Sequence, residues 1–418
     1  MVRRDDSKII EVVHSVCCGL DVHKDTVSAH LIFRDAQGVE QSDVKEFGTF
    51  TDDLIRMREW LLSHECPVLA MESTGVYWRP VYNILESDLR VILVNPRDMK
   101  NVPGRKTDIS DSKWLAGLLK HGLVRGSFIP PQEVRQWRDL TRMRRRYVQT
   151  AADYRRRTQK LFETANIKID SVVADLFGAS GRHLMALLGS GREITLSAVQ
   201  GCIKGRLKRT DMDIFRAIQG FFNDHHRFQL QSLLRMVQHL ENEIACITDQ
   251  IRRVMNGHED VLERLKETPG ISEIASRDIL AELGPTLDAF PTDSALASWS
   301  GLCPGNNESA GKRRSGRSPV FKHHLKTVMV EVAWAAVRTN GSYYKDKYHR
   351  LKYRIGAKKA LVAVAHRILK AIYRIIKEGA HFRDLGEEYL TLRSKSKKVH
   401  RLRKQAQILG FELIPHTV

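Results

Sequence analysis

VCCGLDVHKDTVSAHLIFR, residues 16–34, reads as a strand, a short polar turn and a second strand. Asp21 follows the apolar run Val16–Leu20 and so belongs to the first strand. Outward from this hairpin come two further short apolar runs with β-branched residues, PVLAME (67–72) and RVILVN (90–95). Between them Val76–Leu89 has helical spacing, with Pro80 near its start. Helical pattern resumes at Asp111–Leu123, and Pro130-Pro131 closes the segment. Apolar strands alternating with helices indicate an α/β layer domain whose central strands are buried.

From about residue 132 the pattern turns helical, with few breakers until Asn166. A second long stretch carries Leu230, Leu233, Val237, Leu240, Ile244, Ile247, Ile251 and Val254. That unbroken 3-4 alternation is a coiled-coil seam over about four heptads. It suits an antiparallel helical hairpin that can also dimerise, or one amphipathic helix on a globular core. The Gly-richer segment 178–220 has no clear place. A last unit opens at LKETPGIS (265–272), continues into an Ala/Leu helix to Leu283 and turns at Gly284-Pro285. Beyond 385 a basic tail has no obvious core. The expected class is α/β plus α. It divides as 1–130, a helical coiled-coil region 131–261, a mostly helical unit 262–385, and a tail 386–418.

The chain has 418 residues with 68 Lys+Arg against 49 Asp+Glu, a formal charge of +19. With 42% hydrophobic residues it can bury real cores, which excludes a disordered basic protein. The surplus points to a polyanion, most often nucleic acid, with an anionic membrane as the other option. No apolar run approaches the roughly 20 residues that span a bilayer, and the N-terminal MVRRDDSKIIEVVHS lacks a signal-peptide core. Six cysteines form no CxxC pair, so a reduced, cytoplasmic, disulfide-free protein is expected.

Three stretches hold the whole surplus. Residues 135–160 have ten Lys/Arg against two Asp, with Arg142, Arg144, Arg145 and Arg146 at the centre. Residues 312–326 have six basic residues and no acid, and 393–404 have seven and none. A solvated helix face explains any one of them, but explains all three poorly. Trp137, Tyr147 and Tyr154 within the first stretch offer base stacking, though Trp137 and Tyr154 serve equally as core residues. HisHis at 225–226 and 323–324 read as surface or phosphate contacts rather than metal ligands.

Four carboxylates stand out. Asp21 lies on the first strand, Glu72 ends the VLAME strand, and Asp108 and Asp111 fall three apart at a helix start, on one face. Singly, each has a bland explanation: a turn residue, a surface acid, a helix N-cap. Together they have the composition of a site for hard divalent cations, which take oxygen ligands and can clamp a phosphodiester in pairs.

The motifs CCGLDVHK, AMESTGVYW, NPRDMK and RKTDISDSKWLA resemble the amino-terminal DEDD domain of the "one-ten" insertion-sequence transposases. The likeness spans about residues 15–125. It implies a RuvC-like domain of the ribonuclease H fold, with Asp21, Glu72, Asp108 and Asp111 as the four acids. They would bind Mg2+, as two ions per site.

GLCPGNNESAGKRRSGRS, 301–318, is not a phosphate loop, because five residues separate Gly305 from Gly311 and Arg313 stands where Ser or Thr should follow the lysine. The loop resembles the family's carboxy-terminal transposase domain, which implies that Ser309 attacks the scissile phosphate and becomes covalently linked to DNA. Ser315 and Ser318 are fallback nucleophiles, and a plain turn serine is the bland alternative. Lys312, Arg313, Arg314 and Arg317 can neutralise the phosphate. TPGIS, 268–272, looks like a helix–hairpin–helix element in which Gly270 meets a phosphate, or else a plain connecting turn.

The resemblance also implies donor and target DNA as partners, a noncoding guide RNA from the same element, and a homo-oligomer, dimeric or tetrameric when active. A junction-resolving endonuclease using metal-activated water, or a non-catalytic nucleic-acid binder, are the competing readings. The long region around 170–225 and the tail beyond 385 depart from the compact family pattern.

Overall fold

The computed structural model describes residues 11–73, 75–95, 110–205, 209–304, 307–309, 312–315, 323–412 and 414. The chain forms two compact units, Met1–Ile129 and Pro130–Val418.

The first unit runs β1 (Cys17–Val22), β2 (Thr26–Arg34), β3 (Glu40–Gly48), α1 (Thr51–Ser63), β4 (Val68–Glu72), α2 (Trp78–Leu85), β5 (Arg90–Val94) and α3 (Asp111–Lys120). Sheet order is β3-β2-β1-β4-β5. The first three strands are antiparallel neighbours, whereas β4 runs parallel to both β1 and β5. This is the order and direction expected of the ribonuclease H fold. A three-residue turn suffices between β1 and β2, closed by His23 N–H on the Thr26 carbonyl at 2.9 Å. The parallel pairs need crossovers, and α1 and α2 provide them.

Alternate residues of β1 enter two cores. Cys18, Leu20 and Val22 pack with Leu69, Met71 and the α1 residues Leu54, Met57 and Leu61. Cys17 packs on the opposite face with Val68, Ala70, Val94 and the α3 residues Leu115, Ala116 and Leu119. Burial on both faces is why these strands read as unbroken apolar runs. Gly19 lies under α3, where a β-carbon would sit 2.2 Å from the Ser112 carbonyl oxygen and 2.5 Å from the Ala116 nitrogen. Any side chain there would lift the helix from the sheet. Neither β3 nor α1 was placed from the sequence, although Leu54, Met57 and Leu61 have the spacing of an amphipathic helix. β3 is a polar, largely exposed edge strand, EQSDVKEFG, with none of the apolar alternation that marks a half-buried strand.

Among its described residues the second unit is helical apart from one ribbon. It comprises α4 (Gln132–Thr164), α5 (Ile169–Val172), α6 (Ala179–Ser190), α7 (Leu196–Cys202), α8 (Asp211–Ala217), α9 (Asp224–Val254), α10 (Glu259–Lys266), α11 (Glu273–Leu283), α12 (Asp293–Trp299), β6 (Asn307–Ser309), β7 (Lys312–Ser315), α13 (His324–Ala336), α14 (Tyr343–Ile355), α15 (Ala357–Glu378) and α16 (Tyr389–Ile408).

α4 and α9 are antiparallel. Trp137 near the start of α4 donates its indole N–H to the Val254 carbonyl at the end of α9, at 3.1 Å. Arg144 reaches Thr248, and Arg155 reaches Glu241. The α9 seam is thus covered by a helix of its own chain, with Leu230, Val237, Leu240, Ile247 and Ile251 buried. It therefore gives no separate argument for a dimer. In the unplaced segment 178–220, α6, α7 and α8 form a helical cap at the hairpin's closed end. There Leu184, Met185, Leu188, Val199 and Ile214 share a core with Leu161, Phe162 and Leu230. In the tail, α16 buries none of its residues. No helix of the described residues is long and apolar enough to cross a membrane. All six cysteines are free thiols, and burial pushes Cys17 up to about 12.

Candidate active site

Register decides where the acids stand. β1 and β4 are parallel with Leu20 opposite Met71, so Asp21 and Glu72, one residue further, are neighbours at the carboxyl ends of two adjacent strands. Both share the parity of Cys17, Val68 and Ala70 and therefore face α3. Asp21 also faces Ser28 across the hairpin. The Ser28 hydroxyl lies 3.4 Å from that of Ser112 in the first turn of α3. That contact, with Gly19 beneath Ser112 and Ala116, brings the head of α3, where Asp111 is the first helical residue, to the same corner. The Ser110 hydroxyl caps α3 by accepting from the Lys113 N–H at 3.4 Å, so the cap is Ser110 rather than Asp108.

Carboxyl ends of parallel strands are where open α/β sheets place ligands. The Asp21 side chain is 30% exposed and lies 3.2 Å from the His23 ring. Glu72 and Asp111 are half-buried. Among the described residues, no group of three or more His, Cys, Asp or Glu is drawn together tightly enough to hold a metal ion. Asp108 lies outside the described residues. The corner's carboxylate oxygens suit a hard divalent cation, but the acids described do not form a closed ligand set.

In the second unit Ser309 is the last residue of β6, with Lys312 as its partner on β7. Glu308 pairs with Arg313 and Asn307 with Ser315, leaving Arg314 at an irregularity in the ribbon. Ser309, Lys312, Arg313 and Arg314 are thus collected on one short antiparallel ribbon. Arg317 and Ser318 fall outside the described residues.

The first basic stretch is divided: Arg146, Arg155, Arg156, Arg157 and Lys160 are exposed, whereas Arg138, Arg142, Arg144 and Arg145 are half-buried. Arg142 makes two hydrogen bonds, at 2.8 and 2.9 Å, to the carboxylate of Glu282, which is only 1% exposed. Arg138 donates to the carbonyls of Ala281 and Glu282. Arg144 donates to Thr248 at 2.8 Å, and Arg145 pairs with Glu331. Of the four arginines singled out, Arg146 alone is exposed. Arg142 is thus committed to a buried carboxylate, although 37% of its own side chain remains exposed. Trp137, at 1% exposure, is a core residue rather than a stacking platform.

Burial opposes the charge on Glu282, but the hydrogen bonds from Arg142, with Arg138 beside them, outweigh it and hold its carboxyl below the usual range. One turn earlier, burial pushes Asp278 up to about 6 against the pull of Arg144 and Arg145. Burial likewise lowers His323 to about 4 and lowers His324. The 323–324 pair is half-buried rather than a surface contact, and the His323 ring packs edge-on against Trp299 at 4.3 Å. Asp278 and Glu282 were missed in the sequence. The available signal was two acids four apart flanking the apolar run Ile279–Ala281, in DILAEL.

Gly270 has φ +88°, and a β-carbon there would come within 2.4 Å of the Val332 carbonyl oxygen and 2.6 Å of the Ala336 nitrogen. Close approach to α13 explains this glycine without a phosphate.

A family model for DEDD transposases of the IS110 group, described as Transposase, matches residues 18–167. A second, described as Transposase IS116/IS110/IS902 family, matches residues 262–349. Among solved structures, the RuvC of Thermus thermophilus is similar, with 11% identity over 27% of this chain and 99% of its own, and a TM-score of 0.20. No curated protein matches the chain.

Proposed function

For a chain that belongs to the IS116/IS110/IS902 transposase family, and is thereby a DNA transposase and recombinase, we propose a division of chemistry between its two units. Ser309 is the nucleophile, and Asp21, Glu72, Asp108 and Asp111 form the metal site. The observation that carries this reading is the strand register, which makes Asp21 and Glu72 neighbours under the head of α3.

DEDD domains work with divalent metal ions. Asp21, Glu72, Asp108 and Asp111 would hold Mg2+, as two ions, which would offset phosphate charge and polarise the P–O bond. The Ser309 oxygen attacks phosphorus and forms a phosphoserine ester. The P–O bond to the departing strand breaks, and that strand's oxygen takes up a proton. A hydroxyl of the second strand then attacks the ester and releases Ser309, so strands are exchanged without ATP. A serine hydroxyl is a weak nucleophile at neutral pH. Lys312 is the cross-strand partner of Ser309 and, with Arg313 and Arg314, supplies positive charge on the same ribbon.

Target choice falls to base pairing with a noncoding guide RNA, while Arg146 and the exposed remainder of residues 131–261 hold nucleic-acid backbone. Recombination joins two duplexes, so the active species is a homo-oligomer, a dimer or a tetramer, working in the bacterial cytoplasm. Residues 262–385 act as the serine domain, and the basic tail 386–418 adds backbone contacts.

The test incubates the full chain with DNA, guide RNA and Mg2+ and resolves protein–DNA adducts on a denaturing gel. The expected result is an adduct lost in Ser309→Ala and in Asp21→Asn. Cutting without an adduct would assign a water-using junction endonuclease instead. An adduct that survives Ser309→Ala overturns the nucleophile.

A further inference from the structure

The second unit holds a cleft of about 360 Å3 between α15, the start of α14 and residues 380–385. None of its described lining residues belongs to the acid corner or the serine ribbon, and the residues used below, except Glu267, Asp293 and Tyr344, lie beyond the matched segment 262–349. Arg367, Lys370 and Arg374 line it from α15, three and four residues apart and so on one face of the helix. The opposite wall is aromatic: Tyr344 is buried, and Phe382 stacks on it with ring centres 6.0 Å apart and planes within 24°. Phe382 itself is only half-buried.

The cleft's charges are not all spent internally. Lys370 pairs with Asp293 at 3.1 Å, and His381 at the rim pairs with Glu267 at 2.7 Å. Arg367, Arg374 and Arg383 are exposed and make no ion pair with any described residue. The one other acid of the lining is Glu378, also exposed. Three unspent guanidiniums beside a flat apolar wall suit a ligand with anionic oxygens and an aromatic face. A duplex keeps its base faces stacked inside, so a ring wall at the edge of a small concavity is useful only to an unpaired base.

We propose that this cleft holds one unpaired nucleotide of a nucleic-acid strand, with its phosphates on Arg367 and Arg374 and its base against Phe382. The inference rests on the reading of the chain as a DNA-handling enzyme but not on Ser309. The strand is DNA opened at the exchange point or a loop of RNA, and the two share the chemistry recognised here.

The full chain is titrated with short labelled oligonucleotides of one sequence, as single-stranded DNA, single-stranded RNA and duplex DNA, over a range of salt. In Arg367→Gln/Arg374→Gln, affinity for at least one single strand falls about tenfold, while duplex affinity changes by less than about twofold. The slope of log affinity on log salt shrinks by about 0.7 per arginine. Phe382→Leu weakens the same strand with the slope unchanged, and whichever strand responds identifies the source. Equal loss on duplex and single strands, or no loss, in a variant that melts with the wild type overturns the proposal. If the double variant melts early, Arg383→Gln on the exposed segment is read by the same criteria. Wild type that forms no adduct at Ser309 yet keeps the arginine-dependent preference for a single strand would sink the serine chemistry and leave the cleft standing.

Discussion

Two groups of carboxylates lie in the two units, and the contrast between them sets acids proposed to serve chemistry against acids that hold a fold. Asp21 sits at the open end of a sheet, with 30% of its side chain exposed. Its position is fixed by backbone register and by the close packing of α3 over Gly19. Glu282 sits inside the helical unit, clasped by Arg142 through both oxygens. One place keeps its carboxylate at the edge of solvent, where a cation and a phosphate can reach it. The other saturates its carboxylate with guanidinium. Removing the first should cost function and little stability, and removing a partner of the second should do the reverse.

The largest effect tests the first half of that contrast. Asp21→Asn keeps shape and removes charge, so DNA cleavage should fall on the order of 10^3-fold. The free energy of unfolding, read by chemical denaturation, should stay within about 0.5 kcal/mol. A strongly destabilised Asp21→Asn would make the sheet corner structural and erase the distinction.

Arg142→Ala comes next. It leaves the buried carboxylate with Arg138 alone, 3.7 Å away, and breaking a buried pair costs at most about 3–5 kcal/mol. Calorimetry should show the loss. A neutral outcome would mean the guanidinium is free to serve nucleic acid, as the local charge count had suggested.

Asp278→Asn should act in the opposite direction. Its carboxyl is raised to about 6 by burial, so the folded chain holds a proton where the unfolded chain has lost it. Stability therefore falls as pH climbs from about 4 to about 6, and the ionised group is a net cost above that. The asparagine variant should gain up to roughly 3 kcal/mol at pH 8 and little at pH 4.5. A gain of equal size at both values would exclude titration as the cause.

The smallest effect on stability belongs to Arg146→Ala, within about 0.5 kcal/mol. Nucleic-acid affinity should still weaken, with a shallower salt dependence. Set beside Arg142, four residues away on the same helix, it shows how one basic run divides between interior and surface.

That division explains what the sequence could and could not disclose. Strands buried on both faces, such as CCGLDV and VLAME, announce themselves as apolar runs. Asp21 and Glu72 were visible because each interrupts or ends such a run. β3 was hidden because an exposed edge strand carries no apolar alternation. The roles of the arginines were hidden for a different reason. Glu282 lies 140 residues from Arg142, so a charge count along the chain cannot subtract it. Folding brings acid and base together, so a charge count along the chain overstates what is left unpaired. The Gly-richer stretch after 178 was illegible because its short helices share their core with the ends of two long ones.

The central claim is that a serine on the β6–β7 ribbon takes DNA covalently while the acids of the sheet corner hold the metal. It is tested most directly by trapping the adduct with Mg2+, digesting protein and DNA, and locating the nucleotide-bearing peptide by mass spectrometry. The account predicts a phosphodiester remnant on Ser309 and no modified peptide from Asp21→Asn. A remnant on Ser315 or Ser318, or DNA cut with no modified serine at all, would contradict it.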